Sequence, residues 1–119
     1  MRRLVLLSAA LLLLSALLCA QLHGGKKSED LSAPRHLIGI VLDTAHHAAS
    51  GAVVYLKNKR TLAISTYIAG DDGAYRFNNL SPDIDYEVHA EFNGRKSAIK
   101  TLSSFDTHKQ ARINLKLKK

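Results

Sequence analysis

An all-β sandwich of about seven strands is the fold this sequence predicts. Short apolar runs of period two recur from residue 36 onward, turn residues separate them at regular spacing, and no window beyond the N-terminal segment has a helical period. The most patterned stretch is residues 70–94, GDDGAYRFNNLSPDIDYEVHAEFNG. It reads as turn, strand, corner, strand, turn, and its large apolar side chains Tyr75, Phe77, Leu80 and Tyr86 are the expected centre of the core. Burying each of them contributes about 1.5–3 kcal/mol.

In chain order, Met1-Arg2-Arg3 followed by the apolar run Leu4 to Leu18 is a signal segment, with cleavage expected after Ala20. Two other fates stay open. Cys19 could carry a lipid, although Leu17 and Leu18 are large for such a site. Leu4 to Leu22 could instead remain as an anchor, being close to the ~20 residues of a spanning helix. Residues 21–35 mix Gly-Gly, both charge signs and a proline without periodicity, and read as a flexible linker. The domain is expected over residues 36–119.

Its first strand is His36 to Asp43, where Gly39 marks a bulge or a close backbone approach. The loop Thr44 to Ser50 follows. Gly51 to Lys57 is the second strand, with Ala52, Val54 and Leu56 on one face. Asn58-Lys59-Arg60 is a turn, and Thr61 to Ala69, rich in β-branched residues, is the third strand. Asp72-Gly73 turns the chain into the fourth strand, where Tyr75 and Phe77 alternate with Arg76. Pro82, lacking an N–H, ends pairing at the Leu80-Ser81-Pro82 corner. Tyr86 to Phe92 is the fifth strand, with Tyr86, Val88, Ala90 and Phe92 inward and Glu87, His89 and Glu91 outward. Asn93-Gly94 signals a two-residue hairpin, which places Phe92 opposite Arg95, Glu91 opposite Lys96, Val88 opposite Ile99, Glu87 opposite Lys100 and Tyr86 opposite Thr101. After Leu102-Ser103-Ser104-Phe105-Asp106 and a further polar loop, Ala111 to Leu117 is the last strand, with Ile113, Leu115 and Leu117 inward.

The order of these runs resembles the carboxypeptidase regulatory-like domain, a member of the transthyretin-like (prealbumin-like) β-sandwiches. The resemblance rests on IGIVLD at residues 38–43, GAVVYL at 51–56, DGAYRFNNLSP at 72–82 and YEVHA at 86–90. It covers roughly residues 36–118. It implies a seven-strand Greek-key sandwich and an exported accessory or interaction domain without catalysis of its own. The chain departs from the family in having Ala48-Ala49 where a proline is usual, Ala69-Gly70 before the Asp-Gly turn, and Asp83-Ile84 after the corner proline. A lysine that forms an isopeptide bond in related adhesin sandwiches would fall at Val41, so that bond is not expected.

Composition narrows the function classes. The 119 residues carry 17 Lys+Arg against 10 Asp+Glu, a net charge of +7, and loss of Arg2 and Arg3 with the signal leaves +5. That excess is modest and shows no clustered stripe, so no nucleic-acid partner is expected. Cys19 is the single cysteine, so a mature chain has neither disulfides nor thiol chemistry. No catalytic motif is present, and the Leu115-Lys116-Leu117-Lys118-Lys119 ending lacks the Tyr-Arg-Gly-Ser signature of the 5-hydroxyisourate hydrolases related to this fold. Asp71-Asp72 reads as a turn former rather than a carboxylate pair. The alternative to an interaction module is a small-ligand or metal carrier using His46, His47 or the sheet faces; a metal would draw on His46, His47, His89 and nearby acids, against which stands the need for three or four converging ligands. Tyr55 and Tyr67 are candidates for the outer surface. Asn79-Leu80-Ser81 is a formal glycosylation sequon beside Pro82, and its use is not expected.

The expectation is therefore a non-enzymatic, exported module, secreted or periplasmic, without cofactor. Its partner would be an unknown protein or envelope polymer, membrane contact would come only through an uncut N-terminal segment, and a monomer is the working assumption.

Overall fold

Alternation of buried and exposed residues builds two sheets that face each other across one apolar core. The computed structural model describes residues 32–119. The expected signal segment and the linker up to residue 31 lie outside the described residues. The strands are β1 (Arg35–Leu42), β2 (Val53–Asn58), β3 (Ile64–Ile68), β4 (Ala74–Leu80), β5 (Tyr86–Phe92), β6 (Arg95–Lys96), β7 (Lys100–Leu102), β8 (Gln110–Arg112) and β9 (Leu115–Lys116). One sheet runs β4-β1-β8, with β9 also on β1; the other runs β3-β2-β5-β6, with β7 also on β5. Because β6 and β7 lie along one edge of β5, and β8 and β9 along one edge of β1, the courses of chain correspond to the expected strands of a sandwich.

Inward positions fall as the period predicts. Leu37 and Val41 from β1, Val54 and Leu56 from β2, and Val88 and Ala90 from β5 are buried, together with Tyr75, Phe77, Leu80 and Tyr86. Leu80 reaches the core only because β4 carries an extra residue. The register shifts from Leu37↔Phe77 to Arg35↔Leu80, and Asn79 takes a left-handed φ of 57°. That bulge returns Leu80 to the face that strict alternation from Phe77 would deny it.

Where β1 passes the final course, the backbones nearly touch. A Cβ on Gly39 would sit 1.8 Å from the Ile113 carbonyl oxygen, and the ring and hydroxyl of Tyr75 close the other side. The Tyr75 hydroxyl donates to that same carbonyl. Ile113 N–H in turn donates to Ile38 O at 2.9 Å, and Asn114 Oδ1 accepts from Ile40 N–H at 3.1 Å. Here the expected continuous strand from Ala111 to Leu117 divides into β8 and β9. Ile113 is half-buried rather than fully inward, while Ala111, Leu115 and Leu117 are buried.

The hairpin after β5 starts in the expected register and then leaves it. Asn93 and Gly94 both have positive φ, 51° and 75°, the geometry a two-residue loop requires. Glu91 faces Lys96 and Phe92 faces Arg95. Farther on, Tyr86 faces Leu102, Glu87 faces Thr101 and Val88 faces Lys100, one residue away from the expected pairing. The cause is Ser97. Its N–H donates to Ala90 O at 2.9 Å, but Ala90 N–H is satisfied by the Ser97 hydroxyl at 2.8 Å rather than by a strand carbonyl. The slip leaves Ile99 exposed, buries Leu102 and takes Lys100 away from Glu87, whose partner is Lys59 at 3.3 Å. The expected Glu91–Lys96 pair is present at 3.3 Å.

The first strand begins one residue earlier than the sequence suggested. Arg35, assigned to the linker, is 1% exposed. Its guanidinium donates to the carbonyls of Ser103 (2.7 Å), Ile84 (2.8 Å), Asp106 (3.0 Å) and Ser81 (3.3 Å). Nearby, Asp85 accepts from Ser104 N–H at 2.6 Å and Asp106 from His108 N–H at 3.0 Å. These amide bonds, reinforced by the Arg35 charge, hold both carboxyls below the usual aspartate range. Asp43 is lowered likewise, chiefly by the His47 amide.

Three outcomes follow for the full chain. Arg35→Met removes a donor from each of four carbonyls and is expected to lower unfolding free energy in urea by about 3–5 kcal/mol; a loss under about 1 kcal/mol contradicts this account. Gly39→Ala forces β1 and the Ile113 carbonyl apart and should cost about 1–3 kcal/mol, with loss of amide protection at Ile40 and Ile113 in hydrogen exchange. Because the folded carboxyls of Asp43, Asp85 and Asp106 hold their protons less tightly than the unfolded chain does, their stabilisation is complete above the ordinary aspartate range. It is lost as pH falls through their lowered values, so urea midpoints should drop below about pH 4 and Asp85→Asn should shallow that drop.

Candidate binding surface

The slip at Ser97 bears on a cleft between β7 and β9. A strand in the expected register would send Lys100 to the outer face beside Glu87; moved by one residue, it lies at the margin where β7 approaches β9. Its Nζ donates to Asn114 O at 2.8 Å. From Leu115 onward the chain alternates, with Leu115 and Leu117 buried and Lys116 and Lys118 exposed. Leu117 N–H donates to Leu42 O, and Lys118 N–H donates to Lys96 O, so this segment is bonded to both sheets. Lys100, Lys116, Lys118 and Lys119, with Thr44 and Ala98, line a cleft of about 480 Å³ that has no acidic residue in its wall.

Four ammonium groups with no acidic side chain in the lining suit a phosphate, sulfate or carboxylate group on a partner. Lysine acts here as a flexible point charge rather than a planar fork, so such contacts select charge more than geometry. Exposed contacts of this kind are individually weak and strongly screened by salt.

The histidines named by the sequence do not converge. His46, in the loop after β1 with a φ of 65°, places Nε2 2.7 Å from Lys116 Nζ. His47 is exposed and gives its amide to Asp43 Oδ1 at 2.9 Å. His89 stacks on Tyr55 across β2 and β5, with centroids 5.0 Å apart and planes 12° from parallel, and approaches Glu91 at 3.6 Å. Among the described residues no three His, Cys, Asp or Glu side chains gather in a group that could hold a metal. Asp72 accepts from Ala74 N–H at 3.0 Å, the turn role expected of it. Tyr67 is 41% exposed and meets Phe77 edge-on at 6.1 Å, while Tyr55 is half-buried by its stack. Buried Tyr75 has its hydroxyl pKa pushed up by desolvation, which fits a structural donor. Asn79 is exposed, next to buried Leu80.

Sequence reasoning assigned Lys100 to a salt bridge and so missed its place in the cleft. The signal available was Ser97, a polar residue at an inward hairpin position, where a side-chain hydroxyl can replace a ladder carbonyl.

Comparison with known proteins matches this fold. The chain resembles a variant of BcpA, the major pilin subunit of Bacillus cereus, with a TM-score of 0.56 and 13% identity over 73% of this chain and 30% of the pilin chain. It resembles catechol 1,2-dioxygenase from an Acinetobacter species with a TM-score of 0.54 and 10% identity over 77% of this chain and 54% of the enzyme. The chain thus spans less than a third of one and about half of the other. At these identities the likeness is one of fold. No protein of curated function matches the chain in sequence. The sequence model for the carboxypeptidase regulatory-like domain matches residues 36–118, all but the margins of the sandwich described above. The chain belongs to the carboxypeptidase regulatory-like domain family.

Proposed function

We propose that this protein is an exported, non-catalytic β-sandwich that works by contact in the cell envelope or outside the cell. The family match across residues 36–118 is the observation that carries the reading. The basic n-region, apolar run and Ala20 of the N-terminal segment support export. The surface best suited to contact is the lysine cleft between β7 and β9, and its complement is an anionic group on a protein or envelope polymer.

Both parts can be tested on the protein expressed in its own cells. Mass spectrometry of the exported fraction should find a chain beginning at Gln21; recovery of the intact chain from the cytoplasm alone would falsify export. The exported chain should bind immobilised polyphosphate at low salt and elute on raising salt. Lys116→Glu with Lys118→Glu should weaken retention at least about 10-fold without moving the urea midpoint. Equal retention of the two proteins refutes the cleft as the contact surface.

A further inference from the structure

The free edge of β3 differs from every other edge of the sandwich. Among the described residues β3 pairs only with β2, so its far side has no strand partner. The opposite margin of the same sheet carries Arg95, Lys96 and Lys100, and the margins of the other sheet carry Arg76, Arg112 and Lys116. Cations at an edge resist pairing with another chain. Residues 61–70, TLAISTYIAG, contain no charge, no proline and no bulge. Every residue of β3 is exposed, with Ile64 at 62% and Ile68 at 69%.

The backbone of this edge has a definite polarity. Ala69 N–H donates to Ala52 O, and Ala63 O accepts from Asn58 N–H, so residues 63 and 69 direct their polar groups at the β2 side. Alternation then turns the N–H and C=O groups of Ile64, Thr66 and Ile68 outward. The positions with outward polar groups are symmetric about Thr66, since Ile64 mirrors Ile68 and, beyond them, Ala63 mirrors Ala69; Ser65 and Tyr67, which differ, direct their polar groups at β2.

We infer that β3 is a self-association edge, whose occupant is β3 of a second copy of this chain, antiparallel and centred on Thr66. A twofold axis at Thr66 places it opposite Thr66 of the second copy and Ile64 opposite Ile68 of the second copy. These are the residues with outward polar groups, so each facing pair exchanges both hydrogen bonds. Side chains opposite one another in an antiparallel pair share a face. Ile64, Thr66 and Ile68 pair on β2 with Lys57, Tyr55 and Val53, so the facing isoleucines lie on the outer face beside Lys57 and Val53, with Thr66 beside Tyr55. A shift by one residue in register faces outward groups with inward ones and loses the bonds. A shift of the centre by one residue keeps bonds but sets Ile64 or Ile68 opposite Thr66. The second sheets of the two copies then run on as one. Self-pairing in this form stands in place of the monomer taken as the working assumption.

The test uses the full chain with Cys19→Ser, so that an introduced thiol stands alone. Facing residues of a hydrogen-bonded antiparallel pair lie about 5.5 Å apart at Cα, within disulfide range. Under mild oxidation Thr66→Cys is expected to give a covalent dimer, while Arg95→Cys, on the opposite margin of the same sheet, gives none above background. In sedimentation equilibrium, Thr66→Lys should convert dimer to monomer while its thermal unfolding stays that of the parent. Equal cross-linking at residues 66 and 95, unchanged mass in Thr66→Lys, or capture of a different protein by Thr66→Cys each overturns the proposal.

Discussion

A single guanidinium holds one end of the sandwich together. Arg35 opens β1 and is almost wholly enclosed, yet among the described residues it has no side-chain carboxylate as a direct partner; its donors go to backbone carbonyls on the two segments that leave β4 and β7. Those segments cross between sheets at this end, and Arg35 gives a donor to carbonyls that turn into the corner; the Ser103 carbonyl also accepts from Asp106 N–H at 3.1 Å. Burying a cation is costly unless its donors are fully used, and a planar fork with several N–H groups reaches carbonyls from both segments as no ammonium could. The amide-held carboxylates of Asp85 and Asp106 add compensating charge nearby. The corners of the fold thus depend on a residue lying just outside the apolar pattern.

That dependence explains why Arg35 was illegible in the sequence. Period-two reading detects apolar residues, and an arginine next to Pro34 in a polar stretch reads as linker. Tyr75, Phe77 and Tyr86 were legible for the opposite reason: their burial is dictated by size and alternation alone. Leu80 was placed inward by its neighbours in the motif, but the mechanism, an extra residue at Asn79 in a left-handed conformation, does not follow from periodicity.

The hairpin shows where pattern-based register fails. Asn93-Gly94 identified the turn and its first pairs because backbone conformation at those residues is nearly decided by their identity. Beyond Lys96 the opposite-charge rule favoured Glu87 with Lys100. The pairing instead obeys the buried Ala90 N–H, which needs an acceptor and takes the Ser97 hydroxyl. An unsatisfied buried amide costs about 1–3 kcal/mol, more than an exposed ion pair supplies. The lysine cleft is a by-product of that choice, as is the burial of Leu102 in place of Ile99. The bond from Ala49 N–H to Val41 O shows the same logic at a point where the chain departs from its family: an alanine can donate there and a proline cannot.

The contact at Gly39 bears on the order in which the chain can fold. β1 sits in the middle of its sheet; one of its neighbours, β4, pairs with it at separations from 34 (Ile40↔Ala74) to 45 (Arg35↔Leu80), and the other, β8 with β9, lies more than seventy residues along, as in the Ile40–Asn114 bond with a separation of 74. Joining segments so distant carries a loop-closure cost that the hairpins do not. The β2–β3 and β5–β6 pairs can form early, while β1 keeps one side open until the final course docks. The groove over Gly39 serves as the latch: the Tyr75 hydroxyl, already positioned by β4, captures the Ile113 carbonyl as it arrives. Until that capture the chain holds an apolar strand with an unguarded flank, the condition under which nascent β proteins are most prone to mispair.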